Sequence, residues 1–145
     1  MRATQNTRSA TSNGINIHHS EMFTITNRTK GKLPSLPFVK MKNAVLGKNY
    51  ELSLVCIGNK ASQRLNKAYR GKDMPTNILA FPLGKEEGEI FIDLKKSRAD
   101  APLFERVYSN FVGFLFIHAL LHLKGFDHGS KMERKEAKLI RQFKI

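Results

Sequence analysis

FVGFLFIHALLHLKGFDH, residues 111–128, is apolar nearly all round a helical wheel until histidines and a glycine interrupt it. A helix without a polar face belongs inside a protein, so this stretch predicts a buried central helix, from about Leu103 to Lys124, around which the other elements pack. Its strictly apolar run, FVGFLFI at 111–117, is too short to span a bilayer, and the extension to Leu123 carries two histidines. No membrane partner is expected.

The elements on either side read as a small mixed domain. MFTITN (22–27) alternates like a strand, and YELSLVCI (50–57) places Leu52, Leu54 and Cys56 on one face. NILAFPL (77–83) and GEIFIDL (88–94) are two further strands joined by the polar turn GKEE. Phe38, Met41, Ala44, Val45 and Leu46 recur at helical spacing before Gly47, and ASQRLNKAYR (61–70) is a helix stopped by Gly71. A closing helix starts at Ser130, where Ser130 and Glu133 have the spacing of a capping box. The fold class predicted is α+β, an α/β sandwich: a small mixed four-stranded sheet packed with helices, one of them buried and central. Residues 22–145 are expected to form a single domain. The first 21 residues are polar, rich in Ser, Thr and Asn, and without the apolar stretch of a secretory signal, so they are read as a disordered leader that includes His18 and His19.

The histidines ask for chemistry. His118 and His122 stand four apart on a helix, so their rings leave the same face one turn apart, where two imidazoles can grip one ion. Gly125 ends the helix and can take the left-handed conformation that reverses the chain, bringing His128 toward the same point. One histidine on an apolar helix is ordinarily a core residue bonded to a carbonyl. Here every histidine beyond the leader falls in one eleven-residue window at metal-ligand spacing. Three imidazoles leave a fourth position for water, the arrangement of a catalytic zinc rather than a structural one. Asp127 is a candidate for orienting a ligand ring.

The spacing H-x-x-x-H-x-x-G-x-x-H is shared with metzincin proteases, which carry a glutamate base directly after the first histidine. Ala119 stands there, and an alanine takes no proton. A zinc peptidase is therefore the weaker alternative.

Lys and Arg number 25 against 12 Asp and Glu, a formal net charge of +13 and a pI near 10.1, which favours a polyanionic partner, nucleic acid above all. The single cysteine, Cys56, precludes an internal disulfide and suits a reducing, cytoplasmic location. Arg70 and Lys72 flank Gly71 in a loop where both can meet a phosphate, although a solvated basic turn has the same composition. The loop is not a Walker loop, and no dinucleotide cofactor is expected. The closing helix carries Lys131, Arg134, Lys138 and Arg141 as a basic stripe, ordinarily a solvated face.

Two stretches together carry a family resemblance. HALLHLKGFDH (118–128) resembles the three-histidine signature of the YbeY family of bacterial endoribonucleases, and LNKAYRGKDMPTNILAFP (65–82) is similar to that family's block L-N-x-x-Y-R-x-x-D-x-x-T-[D/N]-V-L-S-F-P. GEIFID (88–93) is similar to the strand that follows, so the likeness runs from about Met22 to the C-terminus. Ala80 stands where the family usually has Ser, Ile78 where it has Val, and Ala119 where Gly is common. The resemblance implies a metal-dependent endoribonuclease of rRNA maturation and ribosome quality control, with one Zn2+ held by His118, His122 and His128 and with Arg70 as a functional arginine in the cleft. Lys72 and Asn77 are the candidate substrate-binding residues beside it. The implied partners are rRNA, single-stranded RNA, and the small ribosomal subunit with its assembly factors. The rival from another class is a non-catalytic ribosome-assembly factor with a structural metal.

Overall fold

The computed structural model describes residues 15–19 and 22–145. Strand β3 (Glu51–Ile57) is the middle of the sheet, with β2 (Phe23–Asn27) parallel on one side and β5 (Glu87–Asp93) parallel on the other. Strand β4 (Ile78–Gly84) runs antiparallel to β5, and β1 (Ile15–His19) antiparallel to β2, giving the order β1-β2-β3-β5-β4. The expected α+β class and mixed sheet are found. The sheet has five strands rather than four, because β1 lies within the segment set apart as a leader. The rest of that leader, residues 1–14, 20 and 21, lies outside the described residues.

Register explains the core. Phe23 stands beside Leu52 and Ile25 beside Leu54; Leu54 in turn stands beside Ile90 and Cys56 beside Ile92. Side chains two apart on a strand share a face, so these residues build one continuous apolar surface. Helices α1 (Phe38–Leu46) and α4 (Tyr108–Lys124) cover it. Phe116 of α4 is the shared contact, with ring centroids 6.3 Å from Phe23 and 5.0 Å from Phe38. Val55, Ile57 and Leu79 bury on the opposite face, where α2 (Asn59–Arg70) packs and Tyr69 meets Phe81 at 4.8 Å.

Helix α4 is the buried central helix, but it begins at Tyr108, not Leu103. The preceding segment folds separately as α3 (Leu94–Asp100) and a 3-10 turn, Ala101–Phe104. Glu105, left-handed at φ 56°, breaks the chain between that turn and α4, and α3 has its own start in Asp93, fully buried, whose carboxylate accepts from the Lys96 backbone N–H at 3.0 Å. Its second oxygen accepts from the Ser62 hydroxyl at 2.8 Å, which ties α2 to the same corner. Helix α5 (Ser130–Phe143) does not use the expected capping box. Gly129 holds the N-cap position, Ser130 lies inside the first turn, and the Glu133 N–H donates to the Gly129 carbonyl at 3.0 Å. Among the described residues, no single helix is long and apolar enough to cross a membrane.

Close packing also fixes where α4 ends. Gly88 of β5 lies under its last turn, and a Cβ there would come within 2.5 Å of the Tyr50 hydroxyl and 3.1 Å of a Leu123 methyl. Only a glycine lets the helix end settle this near the sheet. That end carries His122.

Candidate metal centre

His118 and His122 project from the same side of α4 with their Nε2 atoms 3.1 Å apart. Gly125 then takes a left-handed conformation, φ 110°, and its N–H donates to the His122 and Leu121 carbonyls at 3.0 and 3.2 Å. The Phe126 N–H donates to Leu121 at 3.0 Å, so the exposed carbonyls of the last turn are satisfied as the chain reverses. The reversal returns His128, whose ring centroid lies 5.3 Å from that of His118 and 4.8 Å from that of His122. One ring nitrogen of each residue lies within 4.8 Å of the other two. A tetrahedral zinc with bonds of about 2.0–2.1 Å spaces its ligands roughly 3.4 Å apart, so small ring rotations suffice to close the three around one ion.

The electrostatics suit a cation. Burial, followed by the neighbouring His118 and His128 rings, holds the His122 pKa below the ordinary imidazole range. A neutral imidazole is the form that binds metal. His118 Nδ1 pairs with the Glu136 carboxylate of α5, and in the neutral ring that donates Nδ1–H there Nε2 is the lone-pair nitrogen, the one that faces His122. The sequence offered Asp127 for this orienting role; Glu136 fills it. The signal was available: Glu136 is four residues past the buried Met132 and three before the buried Leu139, an acid on the inward face of an amphipathic helix.

The three histidines line a cleft of about 710 Å³ whose other wall holds Arg70, Lys72, Thr76 and Asn77. Arg70 is the last residue of α2, with Nη1 3.5 Å from the Thr76 hydroxyl. Gly71, at φ 72°, stops the helix and turns Lys72 outward. The loop beyond it is pinned along its length: Gln63 donates to the Asp73 carboxylate at 2.8 Å and Asn66 to the Met74 carbonyl at 2.9 Å. Asn77 donates its amide to Asp100 at 3.0 Å, and Asp100 is itself held by Lys96 at 2.9 Å. The bond to Asp100 uses one of the two Asn77 amide hydrogens and fixes the side chain at the cleft wall. His118, His122, His128, Arg70, Lys72 and Asn77 thus border one cavity, as does Ala119, where a zinc protease would carry its base, whereas Asp127 lines a different one.

The family model for Endoribonuclease YbeY matches residues 18–144. An endoribonuclease YbeY of Aliarcobacter butzleri is 34% identical over 133 residues, covering 86% of this chain and 94% of the relative. The counterparts in Alkaliphilus metalliredigens and Bacillus subtilis are 37% and 33% identical over 99 and 101 residues, covering 61% and 59% of this chain. Those two matches span 64% of each relative's length. A solution structure of a Thermotoga maritima protein superposes with a TM-score of 0.61 at 25% identity, covering 84% of this chain and 89% of that one. A match over nearly the whole length, on a chain whose histidine and arginine blocks meet in one cleft, means that this protein belongs to the YbeY endoribonuclease family.

Proposed function

We propose that the protein is a zinc-dependent endoribonuclease that cuts single-stranded RNA, acting on rRNA in the cytoplasm during maturation and quality control of the small ribosomal subunit. The observation that carries this reading is the meeting of a three-imidazole ligand set with Arg70 and Lys72 across one open cleft. A bound zinc would supply Lewis-acid polarisation of a phosphoryl oxygen or activation of a water. The remaining work falls to the chain. Glu136 keeps His118 in the tautomer that presents Nε2. Arg70 neutralises charge that develops on the phosphorane, and its planar fork can span two phosphate oxygens. Lys72 holds a neighbouring phosphate as a point charge, and the Asn77 side-chain amide hydrogen-bonds the substrate strand. Ala119 provides no base, which is tolerable if the RNA's own 2'-hydroxyl is the nucleophile and excludes the protease mechanism in its usual form.

Purified protein, metal-loaded and metal-stripped, incubated with rRNA and with denatured casein tests the reading. Metal-dependent RNA cleavage with intact casein is the expected result. RNA binding without cleavage would favour an assembly factor with a structural metal, and casein cleavage a peptidase.

A further inference from the structure

The cleft has an aromatic rim that the proposed chemistry does not use. Phe104, the last residue of the 3-10 turn, lines the cavity and is 54% exposed. Its ring stacks on Phe111 with centroids 5.0 Å apart and planes inclined by 26°; Phe111 is fully buried and stacks on Phe114 at 6.2 Å and 18°. Phe114 lies 6.1 Å from the His118 ring. Three near-parallel rings therefore lead from the neighbourhood of the metal ligands to an outermost ring that is half exposed.

The turn is built to hold that ring. The Arg106 N–H donates to the Ala101 carbonyl at 3.1 Å and the Glu105 N–H to Pro102 at 3.0 Å, while Glu105 adopts a left-handed conformation, φ 56°, that a non-glycine residue rarely takes. Leu103 and Val107 beside Phe104 are exposed as well. The surroundings are cationic, with the Arg106 guanidinium 4.5 Å from the centre of the Phe114 ring and Arg70 and Lys72 on the same cleft. An aromatic face among cations, continuous with a phosphate-handling cleft, matches how proteins hold single-stranded nucleic acid: bases stack on rings and phosphates meet cations.

We propose that Phe104 is a stacking platform for one unpaired base of the substrate strand, continuing the Phe114–Phe111–Phe104 ladder and adding affinity for single-stranded nucleic acid beside the metal centre. This rests on the endoribonuclease reading above, and its test separates the two. Single-turnover cleavage of a labelled single-stranded RNA, with protein in excess over a range of concentrations, gives a half-saturation point and a plateau rate. Binding of a labelled single-stranded deoxyadenylate oligomer, which carries bases and phosphates but no 2'-hydroxyl, reports affinity without depending on cleavage.

Phe104→Ala is expected to raise the half-saturation point and weaken oligomer binding by about tenfold or more, the range for loss of one stacked base, and to leave the plateau rate within about threefold. Phe104→Trp should bind at least as well as the parent. Phe104→Leu, which keeps apolar area without a ring and so guards against a folding artefact, should behave like Ala. An abasic oligomer of the same charge should not distinguish the variants. Parental affinity in Phe104→Ala or Phe104→Leu overturns the platform, as does a collapsed plateau with unchanged half-saturation. Failure of the parent protein to cleave RNA, with the binding differences intact, would overturn the nuclease reading and not the platform; failure to bind the oligomer while RNA is cleaved would overturn the platform alone, and failure of both would overturn both.

Discussion

Arg70 and Glu136 make opposite contributions to one cleft. Arg70 sits at the end of α2, exposed and lining the cavity, so removing its side chain should leave fold and zinc content intact. If it stabilises charge on the transferring phosphate, Arg70→Ala lowers the single-turnover rate by about two orders of magnitude, the scale for one lost transition-state donor. Arg70→Lys should fall between, since an ammonium restores the charge but not the fork. Were Arg70 only a docking residue, its loss would weaken binding, lower the salt dependence of affinity by about one unit, and leave saturated turnover unchanged. Glu136 acts through His118. Glu136→Gln keeps an acceptor for the Nδ1–H but removes the charge, and the expected outcome is zinc affinity reduced by about tenfold to a hundredfold, measured by competition with a chelator. Unaltered affinity would show that the carboxylate does not support the site.

At the scale of elements, β1 pairs with β2 and covers that strand's outer edge. A chain starting at Met22 should therefore melt several degrees below the full chain at equal zinc loading, because it exposes a row of unpaired backbone groups. Identical melting would show that β1 adds nothing to the domain. This strand also marks where the sequence stops being legible. INIHH is short and polar-interrupted, and what makes it a strand is a partner beginning at Phe23, not its own composition. β3 was readable from its alternation and α4 from a long apolar run without a polar face, and α2 and α4 also carry their own stop signals, Gly71 and Gly125. α3 was not readable, since Leu94 reads as the end of the preceding strand and the seven residues go unassigned unless Asp93 is recognised as a cap. The histidine set was legible for a related reason: its geometry is set by one helix and one turn. Glu136 completes it from a different helix, and only tertiary packing brings the two together.

Across the whole molecule, the two faces of the sheet divide the labour. One face and its buried helices give α4 a fixed floor, while the other carries α2, whose end delivers Arg70 to the cleft. A net charge of +13 draws polyanions to any part of this surface, so affinity for RNA is weak testimony about mechanism. The proposed mechanism stands on a narrower point: His118, His122 and His128 hold one metal ion, and that ion is required for RNA cleavage. The measurement that meets it most directly is titration of zinc into metal-stripped protein, following single-turnover cleavage of a single-stranded RNA. The rate should climb linearly from zero and break at one zinc per chain, with no such rise in His122→Ala. Full cleavage by the metal-free protein, or an unchanged titration in His122→Ala, would contradict the three-histidine centre.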